Sequence, residues 1–144
     1  VVRRTRARQT LRAAQASLVR DGITFDTGAL IALERRAQRA RKILERAIET
    51  RTRVTVPAPV ITEWWRGRSD LRERILGAVR VEALSDGLSR VAGEAIASVR
   101  GATAVDAIVM ASAAQRGDVV YTSDVEDLER LRGYFRGVRV LGIE

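Results

Sequence analysis

Residues 21–34 read Asp-Gly-Ile-Thr-Phe-Asp-Thr-Gly-Ala-Leu-Ile-Ala-Leu-Glu. Asp21-Gly22 is a turn signal. Ile23-Thr-Phe-Asp26 is a short strand that ends on an acid, and residues 28–34 read as a helix. The same alternation continues outward. Residues 37–50 place Ala40, Ile43, Leu44 and Ala47 on one helical face. Val54–Pro57 is a second strand, and Pro59 suits the first turn of a helix that runs to Arg66 and stops at Gly67. Residues 69–77 give a short helix and Val79–Leu84 a third strand. Asp86 is placed to cap a helix ending near Val99, and Thr103 opens another through Ala114. Asp118–Thr122 is a fourth strand, residues 124–132 a helix, and Val138–Ile143 a last strand. Strands alternating with helices predict an α/β sandwich with a mainly parallel sheet.

The chain has 144 residues, 46% of them apolar, enough for one domain with a real core. No stretch approaches the ~18 uninterrupted apolar residues of a membrane span. The charged first residues do not resemble a secretory signal, so the expected location is cytoplasmic. Residues 1–21 are read as a basic N-terminal helical extension, and residues 22–144 as a single catalytic domain. The net charge is +8, but residues 1–20 hold six Arg and no acid, so the remainder is nearly balanced. Basic character alone is therefore a weak pointer to nucleic acid.

Cysteine and histidine are both absent. That excludes thiol nucleophiles, disulfides, thiolate zinc sites, Ser-His-Asp triads and imidazole acid–base chemistry. Carboxylates, hydroxyls, Lys42 and many Arg remain. Carboxylates suit a hard divalent cation, and the Arg guanidinium suits phosphate.

In open parallel sheets, ligands bind beyond the carboxyl ends of the strands. Asp26 ends the first strand, and Asp124 lies just past the fourth, in Tyr-Thr-Ser-Asp. Glu63 and Asp106 lie near helix starts that can face the same edge. Four carboxylates in one crevice repel each other unless cations such as Mg2+ or Mn2+ are held among them. Each acid also has a simpler explanation. Asp26 can cap its helix, Thr103-x-x-Asp106 fits a capping box, and Asp124 with Asp127 can do the same at theirs. Glu63 can be a solvated helix residue. Asp106 stands out because its helix is otherwise apolar, where an unpaired acid is costly.

Four segments resemble, in order, the motifs of PIN domains, and more narrowly of VapC-type toxins from bacterial toxin–antitoxin pairs. They are Phe-Asp26-Thr-Gly-Ala-Leu-Ile-Ala-Leu, Pro-Val-Ile-Thr-Glu63-Trp-Trp-Arg-Gly, Val-Asp106-Ala-Ile-Val-Met-Ala-Ser-Ala-Ala and Val-Val-Tyr-Thr-Ser-Asp124-Val-Glu-Asp-Leu. The resemblance implies a three-layer α/β/α sandwich with a five-stranded parallel sheet. It implies a Mg2+- or Mn2+-dependent endoribonuclease, a small antitoxin that blocks the site, and a homodimer. Carried across, Asp26, Glu63, Asp106 and Asp124 are the catalytic, metal-site carboxylates, Asp127 an auxiliary acid, and Thr122 a residue that orders the site. One position departs: Gly28 stands where the family often has Ser, leaving Thr27 to supply a hydroxyl.

Substrate grip would rest on Arg, since aromatics are only 4% and cannot form a long stacking platform. Arg66 and Arg68, beside Glu63, are the first candidates for phosphate contact or competition with the antitoxin. Arg35, Arg36, Arg39 and Arg53 are candidates for a phosphate path, although the spacing of Arg41, Lys42, Glu45 and Arg46 also fits an ordinary solvated face. At least one of Trp64 and Trp65 belongs to the core. The expected chemistry is attack of metal-activated water on a phosphodiester. A haloacid-dehalogenase-like phosphatase would need an acid at position 28, and a phosphoacceptor receiver would need a Lys after a late strand. The remaining rival is a catalytically degenerate domain that only binds RNA or a protein partner.

Overall fold

The computed structural model describes residues 22–144. The extension expected over residues 1–21 lies outside the described residues. Five strands and seven helices follow in chain order: β1 (Ile23–Phe25), α1 (Thr27–Glu34), α2 (Gln38–Glu49), β2 (Val54–Pro57), α3 (Ala58–Trp64), α4 (Asp70–Gly77), β3 (Arg80–Glu82), α5 (Asp86–Ser98), α6 (Ala104–Arg116), β4 (Val119–Thr122), α7 (Val125–Arg132) and β5 (Arg139–Gly142). The strands lie in the order β3-β2-β1-β4-β5. Every pair is parallel, as the alternating pattern predicts. The chain builds outward from β1 to β2 and β3, then returns to the other side of β1 with β4 and β5. The sheet therefore has a topological switch point between β1 and β4, where a crevice opens beyond the strand ends.

Side chains alternate across the sheet. Thr24 turns toward α6, where Arg116 reaches it. Ile23 and Tyr121 turn to the opposite face, beside α2. Helices thus cover both faces, giving the three-layer sandwich. α6 is the central helix of its layer: Ala107 to Ala113 are all buried. Alanines at 107, 111 and 113 let it approach the sheet closely, and Met110 and Val109 fill the space between. The four residues of β2, Val54–Pro57, are all buried, Thr55 included, as expected of a strand covered on both faces.

Element ends show where caps overrule periodicity. Ser85, not Asp86, caps α5, its hydroxyl accepting the Leu88 N–H at 3.0 Å. Asp86 is the first helical residue, where its charge favours the helix dipole. Thr103 caps α6, which runs to Arg116 and stops at Gly117 with φ +74°, a left-handed conformation that glycine adopts without strain. α3 stops at Trp64, two residues before the expected Arg66, because Trp65 takes extended backbone. Trp64 is buried and its indole N–H donates to Glu34 at 2.9 Å, so it belongs to the core.

A polar network is buried beneath the sheet. The Thr24 hydroxyl donates to Asp118 Oδ2 at 2.8 Å, and Arg116 Nε donates to the same oxygen at 2.9 Å. Arg116 also pairs with Glu82 and donates to Ser112 and Thr24. Arg116 therefore ties α6 to β1, β3 and the start of β4. Removing one partner of a buried ion pair leaves an uncompensated charge. Arg116→Met is expected to destabilise the fold by about 3–5 kcal/mol. Adding Asp118→Asn should recover part of that loss, as read from urea unfolding curves.

Candidate active site

The crevice at the switch point collects the acids from separate segments. Asp26 directly follows β1 and caps α1, its Oδ1 accepting the Ala29 N–H at 2.9 Å. Its cap role and its position at the strand end are therefore the same fact. β1 pairs with β4 so that Phe25 faces Tyr121, which brings Thr122 beside Asp26. Thr122 is fully buried. Its hydroxyl oxygen accepts the Asp124 N–H at 2.9 Å, and the same side chain lies beside the Asp26 carboxyl and favours its charged form. One side chain thus ties together the strand ends that carry two of the acids.

Asp124 caps α7, accepting the Asp127 N–H at 3.4 Å, so Asp127 stands one turn into the same helix. Asp106 lies in the first turn of α6, its N–H donating to the Thr103 hydroxyl at 3.2 Å. It is half-buried, at the mouth of an otherwise buried helix. Glu63 is in the last turn of α3 and accepts a hydrogen bond from the Thr27 hydroxyl at 2.6 Å. The side chain after Asp26 therefore orients Glu63, a contact between α1 and α3 that spacing alone does not reveal. Gly28 faces Ser123: a Cβ at position 28 would lie 2.0 Å from the Ser123 hydroxyl oxygen, so no side chain fits there unless Ser123 moves.

Electrostatics binds these residues into one cluster. Burial pushes the Asp26 carboxyl up to about 6, opposed by hydrogen bonds from Thr122 and Ala29 and assisted by the charge of Asp106. Asp106 is raised by burial first, then by the charges of Asp127, Glu63 and Asp124, with Thr103 opposing. Asp127 is raised by its hydrogen bond to Asp124 and by that residue's charge. The acids named from the sequence thus act on one another through space. Among the described residues, however, no three carboxylates stand together at metal-holding spacing. The donor set is all oxygen, anionic and mutually repelling, which fits a hard divalent cation in chemistry. A cation would have to draw the carboxylates inward.

Beside Glu63 lies a cleft of about 420 Å³ lined by Arg35, Arg66, Arg72 and Trp64. Arg72 is committed to Glu34 at 2.6 Å, while among the described residues Arg66 donates only to the Trp65 carbonyl. Arg68 stands instead 3.9 Å from Glu73. The proposed path of Arg35, Arg36, Arg39 and Arg53 is not continuous. Arg35 faces the Glu63 cleft, and Arg36 lines a separate groove with Leu44 and Ile48. Arg39 donates to the Gly142 carbonyl, and Arg53 stands 4.0 Å from Asp118.

A family model described as PIN domain matches residues 23–134. No curated protein sequence matches the chain significantly. Among solved structures, DNA-bound VapBC from Salmonella typhimurium aligns with TM-score 0.67 and 16% identity over 86% of this chain and 99% of that one. A toxin–antitoxin complex from Klebsiella pneumoniae gives TM-score 0.60 and 16% identity over 81% and 95%. FitAcB from Neisseria gonorrhoeae gives 0.59 and 18% over 84% and 97%. At these identities the likeness is one of fold.

The raised Asp26 carboxyl makes the metal-free protein pH-sensitive. Its folded value, about 6, lies above its ordinary 3.8. Its contribution to stability is therefore full below about pH 4 and is lost as pH rises through about 6. Asp26→Asn keeps a competent helix cap but carries no charge. In chelator at about pH 7.5, the variant is expected to be more stable than the parent by on the order of 3 kcal/mol, with little difference near pH 4. Urea midpoints across that range check this.

Proposed function

The chain belongs to the PIN domain family, and from that membership we propose that it is a carboxylate-centred endoribonuclease, the toxin of a toxin–antitoxin pair working in the cytoplasm. The observation that carries the reading is the mutual repulsion of Asp26, Glu63, Asp106, Asp124 and Asp127 at the switch-point crevice. Helix capping by Asp26 and Asp124 accounts for two of these positions but not for gathering five acids in one crevice, an arrangement that costs stability and marks a candidate functional site. The partners named for the similar structures, VapBC and toxin–antitoxin complexes, support an antitoxin as the regulator. A homodimer is part of the same proposal.

The reaction is hydrolysis of an RNA phosphodiester: water adds to phosphorus, and the bond from phosphorus to the leaving ribose oxygen breaks. Asp26, Asp106 and Asp124 would hold a Mg2+ or Mn2+ ion, with Glu63 completing the set and Asp127 auxiliary. Such an ion supplies charge neutralisation on the phosphoryl oxygens and an acidified water. The chain's own residues do the rest. Thr122 fixes the Asp26 carboxylate, and Thr27 fixes Glu63. Arg66 and Arg35, lining the cleft beside Glu63, hold the phosphate backbone in register. Asp106, half-buried, is held above the usual carboxylate range by burial and by the charges of Asp127, Glu63 and Asp124, a repulsion that a cation would offset.

A second reading has an observation of its own. Because no three carboxylates stand at metal-holding spacing among the described residues, a binding-only domain would look similar. Cleavage of a labelled RNA separates the two. With Mn2+ the chain is expected to cleave, and both a chelator and Asp106→Asn should reduce the rate by at least about 100-fold. Cleavage indifferent to both changes would remove the metal-site reading. No cleavage of any RNA tried, with metal bound, would favour the binding domain.

A further inference from the structure

On the face of the sheet away from α6, a cleft of about 560 Å³ opens between α2 and β4, lined by Arg39, Lys42, Arg46, Thr50, Thr52 and Tyr121. Among the described residues, no carboxylate lines it. The three cations fall at i, i+3 and i+7 on α2, a row roughly 10 Å long on one side of the helix. Of the two acids of the same helix, Glu45 faces the other groove, with Leu44 and Leu71, and Glu49, its last residue, lines neither groove and forms no ion pair with Lys42 or Arg46. Among the described residues, neither Lys42 nor Arg46 pairs with an acid, and Arg39 Nε donates to a backbone carbonyl, that of Gly142, at 3.1 Å. A concave row of like charges that forms no ion pair among the described residues is held at an electrostatic cost and offers a polyanion a ready site.

The position selects the polyanion. Tyr121 forms one wall of the cleft, and its carbonyl faces the Asp26 N–H at 3.5 Å. The next residue is Thr122, which orders the carboxylates. The cleft therefore starts one residue along β4 from the crevice, on the adjoining face. Tyr121 is half-buried, packs edge-to-face with Phe25 and borders the cleft, which puts an aromatic ring where a base could stack. Cations, hydroxyls and one aromatic in a groove that adjoins a nuclease crevice match a single RNA strand better than an acidic peptide. We propose that this cleft is a second RNA-binding segment, which grips the phosphates of single-stranded RNA leaving the carboxylate site. The proposal rests on the ribonuclease reading for the identity of its ligand.

The test separates binding from cleavage. The full chain carrying Asp106→Asn is titrated against a fluorescein-labelled single-stranded RNA in chelator, by anisotropy, over a range of salt. Adding Lys42→Gln and Arg46→Gln is expected to weaken binding at least about tenfold. It should also lower the slope of log K against log salt by about 1.4, for two lost phosphate contacts at ~0.7 each. The charge-matched control Arg90→Gln with Arg132→Gln, on exposed faces of α5 and α7, should leave the slope nearly unchanged. Tyr121→Leu should weaken binding without altering the slope. An unchanged slope in the Lys42/Arg46 variant, or an equal fall in the control, overturns the proposal. So does loss of polyglutamate binding with RNA binding intact, which would give the cleft to an acidic protein. Because the assay reads binding by an inactivated chain, failure to cleave RNA would be a separate result.

Discussion

The pairing of β1 with β4 is the constraint on which the site depends. In this sheet the strand order reverses between β1 and β4, and there the two strand ends diverge into helices on opposite faces. The register Phe25 to Tyr121 sets Asp26 beside Thr122. From that contact the other positions follow. Asp124 is held through the Thr122 hydroxyl, and α7 starts from Asp124. On the other side, α1 starts from Asp26, and its first residue, Thr27, holds Glu63. The helix caps and the candidate chemistry are built from the same atoms.

This double use has an energetic consequence. A buried carboxylate can satisfy one oxygen with a helix amide and still repel its neighbours through its net charge. Asp26 does both. The cost falls on the free protein, and the rest of the fold must offset it. The central helix α6 supplies much of that support through its buried run from Ala107 to Ala113 and its Arg116 anchor at the far end. Asp106 sits at one end of this helix and Arg116 at the other, so α6 links the strained crevice to the most extensively bonded polar group beneath the sheet.

The fold is legible in the sequence because its elements are short and each strand is separated from the next by one or two helices. The five strands and seven helices of residues 22–144 follow from Ile23–Asp26, Val54–Pro57, Val79–Leu84, Asp118–Thr122 and Val138–Ile143 with the helices between them. The candidate acids were legible from strand ends and from Asp106 in an apolar helix. What stayed hidden is side-chain geometry between distant segments. Nothing in local spacing reveals that Thr27 bonds Glu63, that Ser123 fills the space beside Gly28, or that Arg116 bridges Glu82, Thr24 and Asp118. The arginines were the least legible. Arg35, Arg36, Arg39 and Arg53 look like one patch in sequence, but the turn at Arg36, with φ 60°, and the strand after Thr52 send them to different surfaces. The coherent row is Arg39, Lys42 and Arg46, which in sequence is indistinguishable from a solvated helix face.

The central claim is that the repelling carboxylates form a cation site. The most direct measurement is thermal unfolding of the metal-stripped protein at about pH 7.5 as Mn2+ is added. A ligand that binds only the folded state stabilises by RT ln(1 + [L]/Kd), about 2.7 kcal/mol at a hundredfold excess over Kd. The account predicts a saturable rise in Tm of several degrees for the parent, lost when Asp26 and Asp106 are both changed to Asn. A Tm that does not respond to Mn2+, or responds equally in that double variant, would contradict it.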